Sequence, residues 1–382
     1  MSESRRKSRQ LSSEHVPDDV VFEILTRLPV KSLIRFRCVS KSCFSIITNP
    51  DFIKTHIDQA KSLSNNNGYL LYMQRIGDNF YSLREELCTV VCNSDKTFSH
   101  VSRFQIPFSH FKIVGFCNGI FCFYDYVKHV IYLWNPSIRK LKAFWYPLAT
   151  HLTSRFYTRS VVHGLAYDSQ NNDYKILRIV CYKQRFVLKP LPLFEAEVYT
   201  LSTDSWRKVW IEPNIGSIES PCLFFNGALH SIAYFRDRNF ILSFAGKFIL
   251  SFDVNDEIFR SIMLPQNYLD DIRVRLERLA VFNGSLAFFV FGKNPDGDRE
   301  ICYIWVMREY GVVESWTKII VPVELVMSFF GCNDSGELLI DTYDRGLLSY
   351  DAESLDENKL GIQSPDWLSY TADPMQSLVL LD

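Results

Sequence analysis

Cys88 and Cys92, separated by three residues with His100 close behind, come nearest in this chain to a metal-ligating spacing. A structural zinc site takes two close ligand pairs, and only one is offered here, so these cysteines read as strand residues and no bound metal is expected. Cys117 and Cys122 flank an Asn-Gly pair inside apolar runs and read as core. His163 stands beside Gly164 at the start of an apolar run, and His230 lies inside another. Neither has a serine or carboxylate at a recurring offset, so both read as buried, hydrogen-bonded histidines rather than bases. Trp206 and Trp316 each follow a serine shortly before a basic residue, and that repetition argues for packing rather than a single ligand stack. There is no nucleophile elbow, no glycine loop to cradle a phosphate and no Cys-x-x-Cys. The expectation is a chain without catalytic residues and without a cofactor.

The whole-chain balance narrows the partners. A net charge of −1 over 382 residues leaves no electrostatic footprint for nucleic acid or an anionic membrane. No apolar run approaches the roughly 18 residues of a spanning helix, and the polar, basic start lacks the apolar core of a secretory signal. Ten cysteines scattered through apolar stretches suit free thiols in a reducing compartment, hence a cytoplasmic or nuclear location. Arg5, Arg6, Lys7 and Arg9 resemble a weak nuclear-import signal, although a solvated, disordered tail over residues 1–14 accounts for them as well. The 30 phenylalanines and 19 tyrosines favour strands.

The elements that must carry these residues show in the turns. Asn118-Gly119, Asn226-Gly227 and Asn283-Gly284 each divide two apolar runs, the strongest short hairpin signal. With looser versions near 68, 172 and 336, the turns recur every 51 to 57 residues. A second hairpin follows most of them, as in YLWNPSIRKLKAF, VYTLSTDSWRKV and LSFDVNDEIFRSI. Two hairpins per period make four strands, the blade of a β-propeller, and six periods predict six blades over residues 69–382. A β-sandwich or a pair of barrels is the alternative. The first period lacks an apolar strand before its turn, and the tail MQSLVLLD, with Leu378 to Leu381, is expected to supply it and close the ring.

Before the strands, residues 15–58 read as short apolar helices, followed by a polar linker over 59–68. Pro17 suits a first helical turn, and Asp18 and Asp19 favour its positive end. Val20, Ile24 and Leu28 recur at helical spacing with Val21 and Leu25 beside them, and Pro29 stops the helix. Helices this short do not hold alone in water. The module is therefore either a cap on the following domain or a docking module whose wide apolar stripe awaits a partner.

This segment resembles the plant F-box, through Pro17, Ile24-Leu25, residues 27–33, residues 35–39 and Lys41-Ser42. Val16 replaces the usual leucine, and Cys43 stands where many relatives carry tryptophan. Residues 134–140, 164–179, 198–209 and 304–318 are similar to the plant F-box-associated domain, a kelch- or propeller-like unit also found in the S-locus F-box-like group. The resemblance implies docking on a Skp-type adaptor and through it on a cullin, in an SCF-type ubiquitin ligase whose target is held by the second domain. Val16, Pro17, Val20, Ile24, Leu25, Leu28, Pro29, Leu33 and Phe36 are the expected adaptor-binding residues, divided between the docking surface and the module's own core. Segments 183–194 and 265–279 lengthen their periods, and Phe186, Leu193 and Tyr268 are the candidate target-binding anchors. Two rival readings are a non-degradative interaction protein that pairs with the adaptor, and a propeller enzyme or small-ligand sensor.

Overall fold

Both residues of Asn118-Gly119 (φ 46° and 78°), Asn226-Gly227 (48° and 71°) and Asn283-Gly284 (48° and 73°) sit in the left-handed region. That geometry matches the right-handed twist of paired strands and tolerates little besides asparagine and glycine. The computed structural model describes residues 16–63, 68–76, 84–92, 98–107, 111–145, 156–184, 193–212, 214–236, 246–295, 297, 299–362, 365–372 and 375–379. Six antiparallel sheets follow the turn period, so the expected six-bladed propeller is the observed one.

Blade 2 shows the plan: Phe111–Cys117, Ile120–Asp125, Val130–Asn135 and Lys140–Trp145 pair in that order. Blade 3 runs from Phe156–Asp168 through Asp173–Gln184 and Leu193–Thr200 to Ser205–Val209. Blade 4 opens on Ile215–Ile218 and Leu223–Phe225, both paired with Ala228–Phe235, and continues through Lys247–Asp253 to Phe259–Met263. Blade 5 spans Arg273–Phe282 to Trp316–Pro322, and blade 6 spans Val326–Cys332 to Glu357–Lys359. The first strands of neighbouring blades pack on one another, which makes them the inner wall. The second hairpin of a blade has its own recurring chemistry. Asn135, Asp253 and Asp351 each accept a backbone N–H two residues on, and Arg139, Glu257 and Leu355 then take positive φ.

Ring closure corrects one expectation. Blade 1 contains Gly68–Ile76, Arg84–Cys92 and Phe98–Gln105, and its inner strand is Trp367–Thr371, antiparallel to the first of these with Leu71 opposite Ser369. Leu378 belongs to no strand, because its side chain is taken up by the helical module; residues 380–382 lie outside the described residues. Leu368 completes the contact with blade 6, beside Leu70, Leu339 and Leu347. Each blade pair around the ring has its own apolar cluster, the sixth-to-first pair included, so the circle is continuous.

Four helices precede the ring: α1 (Asp18–Thr26), α2 (Val30–Phe36), α3 (Lys41–Ile47) and α4 (Pro50–Leu63). Helix α4 continues five residues into the stretch read as linker, through good helix formers such as Ala60 and Lys61. The expected disordered tail lies outside the described residues.

Both histidines are buried as expected, but the Nε2 of His163 has no hydrogen-bond partner among the described residues. His230 is enclosed between the Leu223 carbonyl (3.3 Å) and the Tyr310 hydroxyl (2.7 Å), and His163 lies against the Tyr124 ring at 4.4 Å. Burial holds His163 down to about 3 and His230 to about 4. Both are buried neutral, so the unfolded chain binds more protons below pH 6.5, and stability falls as pH drops from 6.5 toward those values. At pH 5 the expected loss is about 2 kcal/mol per histidine relative to pH 7.5. Urea midpoints at the two pH values check this, and equal midpoints would contradict it.

Candidate docking surface

The helical module folds around a small core of Leu25, Val30, Leu33, Ile47 and Phe52, with Phe22 edge-on to Phe52 at 5.2 Å. Ser40 caps α3 by accepting the Cys43 N–H at 3.0 Å, and the half-buried Cys43 packs against the core from there. His56 reaches the Leu28 carbonyl at 2.9 Å, tying α4 to the end of α1, and burial lowers its pKa.

A helix turns 100° per residue, and that rotation separates the expected adaptor-binding residues into two sets. Val16, Pro17, Val20, Ile24, Pro29 and Phe36 are exposed, Ile24 by 54%. Leu25 and Leu33 are corrected to core residues, because their side chains point inward among Val30, Ile47 and Phe52. Leu28 is half-buried against the same cluster and supports the surface from behind. The structure adds Val39, 69% exposed, and Phe44, whose ring lies 5.3 Å from the Arg37 guanidinium. Val39 closes the run 35–39 already quoted for the resemblance, so its signal was available; its exposure was not.

Apolar side chains left in water on such short helices mark a surface built to be covered. On the far side of α1 a groove of about 920 Å³ runs between α1, α3 and α4, lined by Phe22 and Ile46 but also by Asp18, Glu23 and Asp58. Its mixed character contrasts with the uniformly apolar stripe.

The module sits on one face of the ring. Asn172, in the first turn of blade 3, approaches the Pro50 carbonyl at 3.5 Å, and Ile138, in the second hairpin turn of blade 2, packs on the helical core. Antiparallel order puts all first and third turns of the blades at this end and the remaining connections at the other. Among the described residues no helix or further strand covers the opposite end, here termed the open face.

Of the candidate anchors, Phe186 lies outside the described residues, and Leu193 is exposed where its strand leaves the open face. Tyr268 is corrected to a packing residue: its ring stands edge-on to Phe288 at 5.6 Å and closes the cluster between blades 4 and 5. Larger aromatic side chains are more exposed on the same face. Trp145 (71% exposed) ends the outer strand of blade 2 at the open face, and Trp210 (74%) follows directly on the outer strand of blade 3. Met263 and Ile320 hold the equivalent register positions in blades 4 and 5 and are also exposed. The signal was a large apolar residue four places after the position of Trp206 in its repeat. Trp206 and Trp316 themselves pack inward, Trp206 on Tyr199 at 5.3 Å and Trp316 through its indole N–H to the Met263 carbonyl at 3.1 Å.

Among the described residues no group of three His, Cys, Asp or Glu is placed to hold a metal ion. Cys88 is buried, with its thiol pushed up by desolvation; the side chains of Cys92 and His100 lie outside the described residues. Among the described residues no helix is long and apolar enough to cross a membrane.

Comparison with known proteins agrees with this division. Residues 14–55 match the profile of the F-box domain, and residues 71–368 match the F-box associated beta propeller domain. Similar proteins include F-box protein CPR1 of Arabidopsis thaliana, 26% identical over 96% of this chain and 89% of its own length. The F-box/kelch-repeat protein At3g23880 of the same plant is 27% identical over 82% of this chain and 81% of its own. Among solved structures, the β-propeller domain of the Trilobed protease from Pyrococcus furiosus aligns with a TM-score of 0.37 at 11% identity, covering 78% of this chain and 93% of that one.

Proposed function

The chain belongs to the F-box proteins that carry an F-box associated beta propeller domain, and on that premise we propose that it is the substrate-recognition subunit of an SCF-type (Skp–cullin–F-box) ubiquitin ligase. The observation that carries this reading is the exposed apolar stripe of α1 and the α2–α3 corner, on a module seated at one face of a ring whose other face is uncovered among the described residues. The stripe docks on a Skp-type adaptor, and the adaptor joins the chain to a cullin. The open face holds a target protein. The chain performs no covalent step. It raises the effective concentration of target lysines near a charged ubiquitin carrier, a contribution that needs only simultaneous engagement of both ends. Its place of action is the cytoplasm or nucleus, where such complexes meet free thiols and reduced partners.

Co-elution of the chain with a Skp-class adaptor and a cullin on gel filtration, followed by ubiquitin transfer to a captured partner, tests the reading. Failure to co-elute would sink it. Co-elution without transfer to any captured partner would leave only a docking protein.

The open face has its own expected result. Buried aromatic anchors dominate interfaces, and losing one costs about 2 kcal/mol or more, roughly thirtyfold in affinity. Trp145→Ala combined with Trp210→Ala should release a captured target while retaining the adaptor and the melting temperature. Undiminished target retention in titration calorimetry would remove these residues from the target site.

A further inference from the structure

Residues 375–379 have no helix and no strand partner, yet Ser377 and Leu378 are buried. They touch both modules at once. On the ring side, the Asn135 side-chain amide donates to the carbonyls of Ser377 (3.0 Å) and Val379 (3.1 Å), and the Ser137 hydroxyl donates to that of Met375 (2.9 Å). Asn135 is itself fully buried, and its remaining oxygen accepts the Ser137 N–H at 3.0 Å. The segment runs so close to the first turn of blade 2 that a Cβ on Gly119 would stand 2.6 Å from the Ser377 Cβ and 2.9 Å from the Met375 oxygen. Positive φ and close approach together demand glycine there.

On the helical side, Leu378 is 1% exposed, inside the cluster formed by Leu25, Leu33 and Phe52. The side-chain oxygen of Gln376 accepts the Val30 N–H at 3.1 Å. That N–H opens the first turn of α2, where Pro29 supplies no side-chain cap, so it would otherwise lack a protein partner.

We propose that residues 375–379 are a strap that locks the helical module to the ring at one fixed angle, with Asn135 and Leu378 as its positioning residues. Cutting the strap leaves the modules joined by the polypeptide after α4 and, among the described residues, by the edge contacts at Ile138 and Asn172 and the carboxylate of Asp58 near Tyr167. The purpose of the angle rests on the proposed ligase role: a rigid receptor holds the target at a set distance from the ubiquitin carrier, whereas a hinged one spreads it over a volume. The strap itself does not depend on that role.

Hydrogen exchange on the full-length chain reads the strap directly, through the Val30 amide. Asn135→Ala with Ser137→Ala should speed that amide's exchange at least tenfold while the strands of blades 3 to 5 keep their protection. Small-angle scattering of the same variant should show a larger maximum dimension, with adaptor capture unchanged within twofold. Leu378→Ala should produce the same acceleration, and Leu378→Met should restore protection. If Leu378→Ala unfolds the helices outright, the Asn135 and Ser137 pair decides, since it substitutes no residue of their core. Unchanged Val30 exchange and unchanged dimensions in that pair would overturn the strap. Failure of the intact chain to capture the adaptor would count against the ligase role alone.

Discussion

Replacing Val20 and Ile24 together by aspartate is expected to abolish capture of the Skp-class adaptor, with at least a hundredfold loss of affinity. Both side chains stand in water on one stripe of α1, so the free chain loses almost nothing when they become charged. In a complex the two carboxylates would be pressed against an apolar partner, and an unpaired buried charge costs several kcal/mol. A loss of about 2.7 kcal/mol already gives the hundredfold. The change is best measured by titration calorimetry, with circular dichroism to show that the helices persist. Leu25→Asp is the informative contrast. Leu25 is interior, so its aspartate should unfold the helices and lose adaptor capture for a different reason. Full affinity in the Val20 and Ile24 variant would remove α1 from the interface.

Leu368→Asp should break the ring. Leu368 is buried between blades 6 and 1, on the strand that pairs with Gly68–Ile76, and among the described residues no later element repeats its contacts. Removing a buried leucine costs about 2–5 kcal/mol before the penalty for the new charge. In a domain this marginally stable, the expected outcome is a melting temperature lower by well over 5 °C or loss of a cooperative transition. Leu378→Asp makes the discriminating comparison. It strikes the helical core and should leave the ring's own unfolding transition in place. If the two variants destabilise the ring equally, the assignment of Trp367–Thr371 as the closing strand is wrong.

These two leucines also show what could be read beforehand. The turn period was legible because Asn-Gly pairs answer a backbone demand that few other residues meet, and the six blades followed from it. The choice between 367–371 and 375–382 as closing strand was not legible. Both are short apolar runs near the end of the chain, and a pattern of hydrophobicity does not name a partner. Leu378 is apolar because a helix three hundred residues earlier needs it. Ile24 and Leu25 raise the same difficulty at closer range. Neighbours of one chemical type fall on different faces, and only the packing of Phe52 and Ile47 decides which is interior. Trp145 and Trp210 are not marked by the repeat itself, because the tryptophan that recurs in it, at 206 and 316, is the one that packs inward.

The seat of Leu378 has a consequence for synthesis. A ribosome delivers the four helices before the ring, but the leucine that completes their core emerges only after all six blades. The helical module is thus begun before the ring and finished after it. A message cut before Leu378 therefore leaves the helical core incomplete, so a chain with an unfinished ring also carries an unfinished helical module.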